Sequence, residues 1–250
     1  MTDHQTLIDA LVPVARQAGE AIMQIHANGV VADTKGDGSP VTEADRAAEK
    51  IIVSALQEVA PEIKIISEEN ADSHSLDAPD RFFLVDPLDG TKEFLKADSK
   101  GAFTVNIALV ENRTPVMGIV YAPALNRMFT GSTQAGADED GKQLEVRDVP
   151  ASGAVAVASA SHRDETTNQW LQDHGIQETV SIGSSLKFCL LAAAEADVYP
   201  RFGPTMEWDT AAGEAVLRAA GGRVENPDGT PFLYGKTQYR NGAFVAKGKV

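Results

Sequence analysis

Three acidic groups stand where short apolar runs end. Ser67-Glu68-Glu69 follows Ile63–Ile66, Asp86-Pro87-Leu88-Asp89-Gly90-Thr91 follows Phe82–Val85, and Trp208-Asp209-Thr210 opens an apolar helical period near the C-terminus. Loops at strand ends are where a rigid α/β scaffold carries its chemistry. In Asp86–Thr91, Pro87 fixes φ and turns the chain sharply after the strand. Asp86 and Asp89 can then converge with the Leu88 carbonyl between them, a set of hard oxygens that suits Mg²⁺. Without a cation, carboxylates packed so closely repel, and at least one is pushed toward protonation. Gly90 allows close approach of a ligand, and the Gly90 and Thr91 amides can face a phosphate as at a helix N-terminus. Each group alone also has a plainer reading. Asp86–Thr91 is then a turn with an Asp cap, Glu68-Glu69 a solvated acidic loop, Asp209 the N-cap of its helix, and Asp45 part of a capping box with Thr42. Their joint occurrence favours a site more than any single group does.

The elements that must carry these residues follow from periodicity. Leu7, Leu11, Val14, Ala18, Ile22 and Ile25 recur at helical spacing and predict a long N-terminal helix. Asp33–Pro40 is a polar, Gly-rich loop expected to be mobile, which with its Lys35 could close over metals held by the acids. Thr42 then caps a helix with an apolar face at Ile51, Ile52, Ala55, Leu56 and Val59, which Pro61 stops. Ile63–Ser67, Phe82–Val85, Phe103–Val110, Val116–Tyr121 and Arg127–Gly131 read as strands, the third and fourth joined by a turn at Asn112–Pro115. Ala135–Gly141 reads as an acidic turn. From Ala154 on, strands (Ala154–Ala158, Thr179–Ile182, Asp197–Arg201 and a final one) alternate with helices (Glu165–His174, Ser184–Ala194, Thr210–Ala220). That order predicts an α/β lobe over 151–250 after an α+β lobe over 1–150, the two joined as one compact unit.

Composition bounds the partners. The 250 residues include 36 acidic and 22 basic side chains, a formal charge of −14. An acidic surface excludes general binding to polymeric nucleic acid, whose phosphates require a basic one. It leaves small phosphorylated ligands open wherever cations reverse the sign locally. At 43% hydrophobic, the chain has enough apolar material for a core. The single cysteine, Cys189, lies in an apolar stretch and predicts a packed thiol, consistent with a reducing cytoplasm. No apolar run reaches the roughly 18 residues of a membrane span, and the N-terminus lacks a secretory pattern. Oligomeric state is not legible.

Taken together, Glu68-Glu69, Asp86–Thr91 and Trp208-Asp209-Thr210-Ala211-Ala212-Gly213 resemble the signature of the inositol monophosphatase superfamily of Mg²⁺-dependent, lithium-sensitive phosphatases. The resemblance runs from Ser39–Asp45 to Gly221-Gly222. It implies the layered αβαβα sugar-phosphatase fold. It also implies that Glu68, Asp86 and the Leu88 carbonyl hold one Mg²⁺, and that Asp86, Asp89 and Asp209 hold a second. Glu68 and Asp45 would place a third, weaker ion and the attacking water, which Thr91 orients. The implied reaction is in-line attack by a metal-activated water on a phosphate monoester.

Within the superfamily, Gly183-Ser184-Ser185-Leu186-Lys187-Phe188 and Tyr199-Pro200-Arg201 resemble the 3′(2′),5′-bisphosphate nucleotidases. Ser184 and Lys187, three apart at a helix start, can share a face. The resemblance implies that Ser184, Lys187 and Arg201 hold a 5′-phosphate and that the Ser161-His162 pair contacts the nucleotide. Gly90, Thr91 and Asp209 would also touch the substrate. The expected substrate is adenosine 3′,5′-bisphosphate. An inositol- or sugar-phosphate phosphatase is the nearest alternative. A metal- and phosphate-binding protein without turnover, or a purely structural acidic domain, would be a different class.

Overall fold

The computed structural model describes residues 3–29, 32–34, 40–75, 77–96, 101–159 and 164–249. The first half opens with helix α1 (His4–Ala27), a short hairpin of β1 (Ala32–Thr34) and β2 (Pro40–Thr42), and helix α2 (Glu43–Val59). Strands β3 (Lys64–Ser67) and β4 (Arg81–Asp89) follow, with a 3-10 turn at Ala71–Ser75 between them. A one-turn helix α3 (Thr91–Phe94) leads to β5 (Thr104–Glu111), β6 (Thr114–Ala122), β7 (Arg127–Ser132), β8 (Gly136–Glu139) and β9 (Lys142–Leu144). These strands form one seven-stranded sheet in the order β3-β4-β5-β6-β7-β8-β9. Only β3 and β4 run parallel; the remaining neighbours are antiparallel.

The second half contributes β10 (Val155–Ser159), α4 (Glu165–Asp173), β11 (Glu178–Ile182), α5 (Leu186–Ala192), β12 (Val198–Arg201), β13 (Thr205–Met206) and α6 (Ala211–Ala219). It ends with β14 (Arg223–Glu225), β15 (Arg240–Asn241) and β16 (Phe244–Lys247). A five-stranded sheet has the order β11-β10-β12-β16-β14, and β13 pairs with β15 alone.

The large sheet is buried on both faces, and the side-chain period of two sends alternate residues into different cores. Phe83, Val85, Val105, Ile107, Leu109, Met117 and Ile119 meet Leu7, Leu11, Ala18, Ile22, Ile52 and Leu56 of α1 and α2. Phe82, Leu84, Ala108, Val110, Val120 and Phe129 face the other way, onto Leu186, Phe188, Leu191, Ala212 and Val216 of α5 and α6. The five-stranded sheet shares that middle core through Val157, Tyr199 and Phe244. Its outer face, Ala156, Val198 and Val245, packs on Leu171 and Trp170 of α4. The layers are therefore helix, sheet, helix, sheet, helix, the αβαβα arrangement the resemblance implied.

Two glycines let α6 lie directly on the large sheet. A Cβ on Gly118 would stand 2.2 Å from the Ala212 carbonyl oxygen, and one on Gly131 would stand 2.6 Å from Val216 Cα. Cys189 is buried in the middle core, as expected, and burial pushes its thiol up. Among the described residues, no helix is long and apolar enough to cross a membrane.

Several local expectations need correction. Ala135–Gly141 is more than a turn, because Gly136–Glu139 pairs with β7 and β9 and only Asp140-Gly141 reverses the chain. Acidic side chains there suit a strand near the sheet edge. Pro87 does not end its strand: β4 continues to Asp89 across an irregular register. Helix α5 starts later than expected, because Ser184 sits in the left-handed region at φ 54° and cannot open it. Ser184 and Lys187 therefore do not share a helical face.

Candidate active site

The parallel ladder of β3 and β4 brings the first two acidic groups together. Ser67 lies opposite Val85, and the Glu68 N–H continues the ladder to the Val85 carbonyl at 3.1 Å. Glu68 and Asp86 follow those residues and so emerge side by side. Between Asp86 and Asp89, β4 gains one residue relative to β5, since Asp86 opposes Asn106 while Asp89 opposes Thr104. Such a bulge re-aims side chains at a strand end. Asp86 closes the bulge by accepting the Leu88 N–H at 3.0 Å. Gly90 then takes φ 92°, where a side chain would be strained and a Cβ would crowd the Ala102 carbonyl at 3.1 Å.

Asp209 arrives from the other half of the chain, just ahead of α6. It does not cap that helix: the N-cap is Thr210, and the Asp209 carboxylate turns back to accept the Met206 N–H at 2.7 Å. Glu68, Asp86 and Asp209 each present a carboxylate oxygen, and the three oxygens lie within 4.8 Å of one another.

The electrostatics of this trio are those of a cation site. Asp86 is pushed well above the ordinary aspartate value, first by burial and then by Glu68, Asp89 and Asp209. Burial, Asp89 and Glu68 raise Asp209 in the same way. Asp89 stands outside the trio but beside it. Burial raises it to about 6, against the opposing pull of Lys187 and a hydrogen bond from the Ser185 N–H. Packed carboxylates that oppose one another's ionisation, with only hard oxygen donors present, fit a divalent cation such as Mg²⁺.

Asp45 is buried at the start of α2, where the capping box is complete. Its Oδ2 accepts from the Thr42 N–H at 2.7 Å and from the Thr42 hydroxyl at 2.6 Å. Burial raises its carboxyl, and the Thr42 bonds oppose that rise. The capping reading holds, and the second oxygen, Oδ1, is free of the cap and 3.3 Å from the Thr91 hydroxyl. That hydroxyl is also 3.3 Å from the Leu88 carbonyl oxygen.

Glu68, Asp86, Leu88, Asp89, Gly90, Thr91 and Asp209 line a cavity of about 610 Å³ with Ser184, Lys187 and Arg201. Lys187 is buried; its Nζ donates to the Ser184 carbonyl at 2.6 Å and lies 5.4 Å from the Tyr199 ring centre. Ser184 and Lys187 thus remain neighbours through this bond. Burial lowers the Lys187 ammonium to about 8, with Asp89 opposing and Arg201 reinforcing the drop. Arg201 is buried too, held by the Gly203 carbonyl at 3.2 Å and the Pro204 carbonyl at 3.0 Å. Two buried cations thus share a cavity with the acidic cluster.

His162 and its neighbour Ser161, and Lys35 of the Gly-rich loop, lie outside the described residues. Asp164 and Tyr199 line the cavity without having been singled out as site residues. Asp164 caps α4: its Oδ1 accepts from the Thr167 N–H at 2.8 Å and the Thr167 hydroxyl at 2.7 Å. The Thr167 bonds hold its carboxyl below the ordinary value, and the nearby Arg201 charge, which nothing local announces, adds to the lowering.

Comparison with known proteins agrees with this geometry. The profile described as "Inositol monophosphatase family" matches residues 3–249. The 3′(2′),5′-bisphosphate nucleotidase CysQ of Escherichia coli K12 is 46% identical over 234 residues, covering 91% of this chain and 94% of that protein. The protein of the same name from Buchnera aphidicola is 38% identical, covering 96% and 93%. The crystal structure of CysQ from Bacteroides thetaiotaomicron, described as a bacterial member of the inositol monophosphatase family, superposes with a TM-score of 0.84 at 38% identity, covering 98% of each chain. The chain belongs to the inositol monophosphatase family.

Proposed function

We propose that the chain is a Mg²⁺-dependent 3′(2′),5′-bisphosphate nucleotidase that converts adenosine 3′,5′-bisphosphate to AMP and inorganic phosphate. One observation carries the reading: a trio of carboxylates within 4.8 Å shares its cavity with two buried cations, Lys187 and Arg201. The trio calls for metal ions and hence for one phosphate, and the cations call for another anion. The 46% identity to a nucleotidase over most of both chains supports the same substrate.

Glu68, Asp86, Asp89, Asp209 and the Leu88 carbonyl would hold the Mg²⁺ ions, two of them firmly, with Asp45 and Glu68 helping a third. When bound, such ions neutralise the phosphate oxygens, acidify a water and stabilise the departing alkoxide. The side chains do the orienting. Asp45 draws the Thr91 hydroxyl proton toward itself, so that a Thr91 lone pair can accept a hydrogen bond from the attacking water. The Gly90 backbone leaves room for the phosphate at the strand end. Water attacks phosphorus opposite the 3′-oxygen, the P–O3′ bond breaks, and a proton ends on the 3′-hydroxyl of AMP. Lys187, Arg201 and Ser184 hold the 5′-phosphate by charge-assisted hydrogen bonds. A nucleotide contact by His162 is what the resemblance implies. A monophosphate ester leaves the basic pair unused.

We further assign residues 1–150 and 151–250 to two lobes working as one unit. This is supported by α6, which supplies the helix behind Asp209 while packing on the sheet that carries Asp86. A reducing cytoplasm suits the lone buried Cys189. The decisive experiment measures phosphate release with Mg²⁺ from adenosine 3′,5′-bisphosphate and from inositol 1-phosphate side by side, with Asp89→Asn as control. Faster turnover of the inositol ester overturns the substrate, and release that is independent of metal overturns the mechanism.

A further inference from the structure

The two acidic loops that meet in the trio come from opposite halves of the chain. Glu68 extends β3 of the large sheet; Asp209 precedes α6. Among the described residues no backbone ladder joins these two loops, yet their carboxylates must keep a spacing that suits one ion. The His74 side chain contacts both loops. His74, in the 3-10 turn after Glu68, brings Nε2 to 2.7 Å from the Ser67 carbonyl oxygen. A carbonyl only accepts, so Nε2 carries the hydrogen and donates it. The same ring stacks on Trp208, with centroids 4.6 Å apart and planes 26° from parallel. His74 thus touches the residue before Glu68 and the residue before Asp209.

The partners on either side are themselves fixed. The Ser67 hydroxyl donates to Glu49 of α2, and the Ser67 N–H lies 3.2 Å from the Ser73 hydroxyl. Trp208 is buried. Its neighbour Glu207 is fully buried and accepts from the Gly235 N–H at 2.8 Å and the Lys236 N–H at 2.9 Å. Each loop is anchored in its own half, and the His74 ring bridges the anchors at the two carboxylates' neighbours, Ser67 and Trp208. We propose that His74 is a positioning residue that sets the separation of Glu68 and Asp209, through its Ser67 hydrogen bond and its stack on Trp208, and so sets the affinity of the site for a divalent cation. The inference rests on the carboxylate trio being a metal site.

The test is Mn²⁺ binding to the full chain without substrate, followed by the loss of the free-ion EPR signal. His74→Ala is expected to weaken binding about tenfold, the low end of what losing a group that orients metal ligands costs. His74→Phe keeps a stacking ring and loses the hydrogen bond, and is expected to fall between the parent and His74→Ala. In Mg²⁺ kinetics, the metal concentration for half-maximal rate should rise more than kcat falls. Mn²⁺ affinity of His74→Phe and His74→Ala both within twofold of the parent, with only the melting temperature lowered, would make His74 structural and overturn the proposal. Asp209→Asn separates the two readings. If the parent binds Mn²⁺ no better than Asp209→Asn, the metal site itself fails and the proposal falls with it. If the parent binds and Asp209→Asn does not, the comparison of His74 variants decides the proposal alone.

Discussion

The Asp89 carboxylate accepts the backbone N–H of Ser185 at 2.6 Å, across 96 residues of sequence. The Ser185 hydroxyl donates in turn to the Asp209 carbonyl at 2.7 Å. The residue just before α5 is therefore bonded to the Asp89 carboxylate and to the Asp209 backbone. Without a cation, these acids share a buried volume with little to neutralise them besides Lys187 and Arg201.

A pH dependence of stability follows. Asp89 is raised from 3.8 to about 6, so between those values the native chain binds its proton more tightly than the unfolded chain. Stability must then fall as pH rises through that window. Asp86 and Asp209 are raised in the same direction, and Glu214, buried against Tyr234, is raised to about 7. Chelator-treated protein should melt at a higher temperature at pH 5.5 than at pH 7.5. Saturating Mg²⁺ should stabilise it more at pH 7.5 than at pH 5.5, since the ion binds the ionised carboxylates. Differential scanning fluorimetry with and without chelator reads both, and a metal-free melting temperature that rises from pH 5.5 to 7.5 contradicts the first.

Lys187 should give the substrate preference its own pH signature. Its ammonium, lowered to about 8, loses its charge as pH rises through that value. In kcat/KM, which reports the free enzyme, turnover of adenosine 3′,5′-bisphosphate should decline above about pH 8, whereas that of a nucleoside 3′-monophosphate should not share this step. Lys187→Arg, charged throughout, should move the decline upward. Lys187→Ala should weaken the bisphosphate about tenfold or more, the scale of one charge-assisted hydrogen bond, and the monophosphate little. Equal losses on both substrates would remove the 5′-phosphate from this side chain.

Gly118 tests the support of Asp209 from behind. An added Cβ would meet the Ala212 carbonyl oxygen at 2.2 Å, a backbone atom that yields only if α6 moves. Gly118→Ala should cost about 1–3 kcal/mol, as overpacking does, and lower activity beyond the stability loss by displacing Asp209. Urea unfolding alongside Mg²⁺-dependent phosphate release separates the two effects. A variant as stable and as active as the parent would show that α6 can shift freely.

Calcium should inhibit. It takes more oxygen ligands at longer distances than Mg²⁺, so it would occupy the carboxylates without holding water and phosphate in the compact geometry of Mg²⁺. Lithium inhibition is expected from the family. A titration of Ca²⁺ and of Li⁺ against fixed Mg²⁺ measures both, and full activity in millimolar Ca²⁺ without Mg²⁺ would contradict the first.

Much of this site could be read along the chain because its chemistry is local. The Asp86–Thr91 stretch, the Glu68-Glu69 pair and the capping box of Asp45 are short runs whose residue types already constrain the backbone. The helices of the first half and the paired strands about Asn112–Pro115 were legible for the same reason: hydrophobic period reports which face is buried. The acidic excess weighs against polymeric nucleic acid and leaves a small phosphate open, because clustered carboxylates can recruit cations that reverse the sign locally. What the linear chain did not contain was distance. The bulge in β4 depends on its pairing with β5, and the positive φ of Ser184 depends on how α5 meets Asp89. The trio of Glu68, Asp86 and Asp209 and the His74 bridge join residues brought together by packing of α6 between two sheets, and the Asp164 carboxylate nears Arg201 because β10 and β12 are neighbours. Sequence determined which groups were available, since residue type and local spacing are covalent facts. Tertiary structure decided which of them touch, since contacts between distant segments arise only when both faces of a sheet are buried at once.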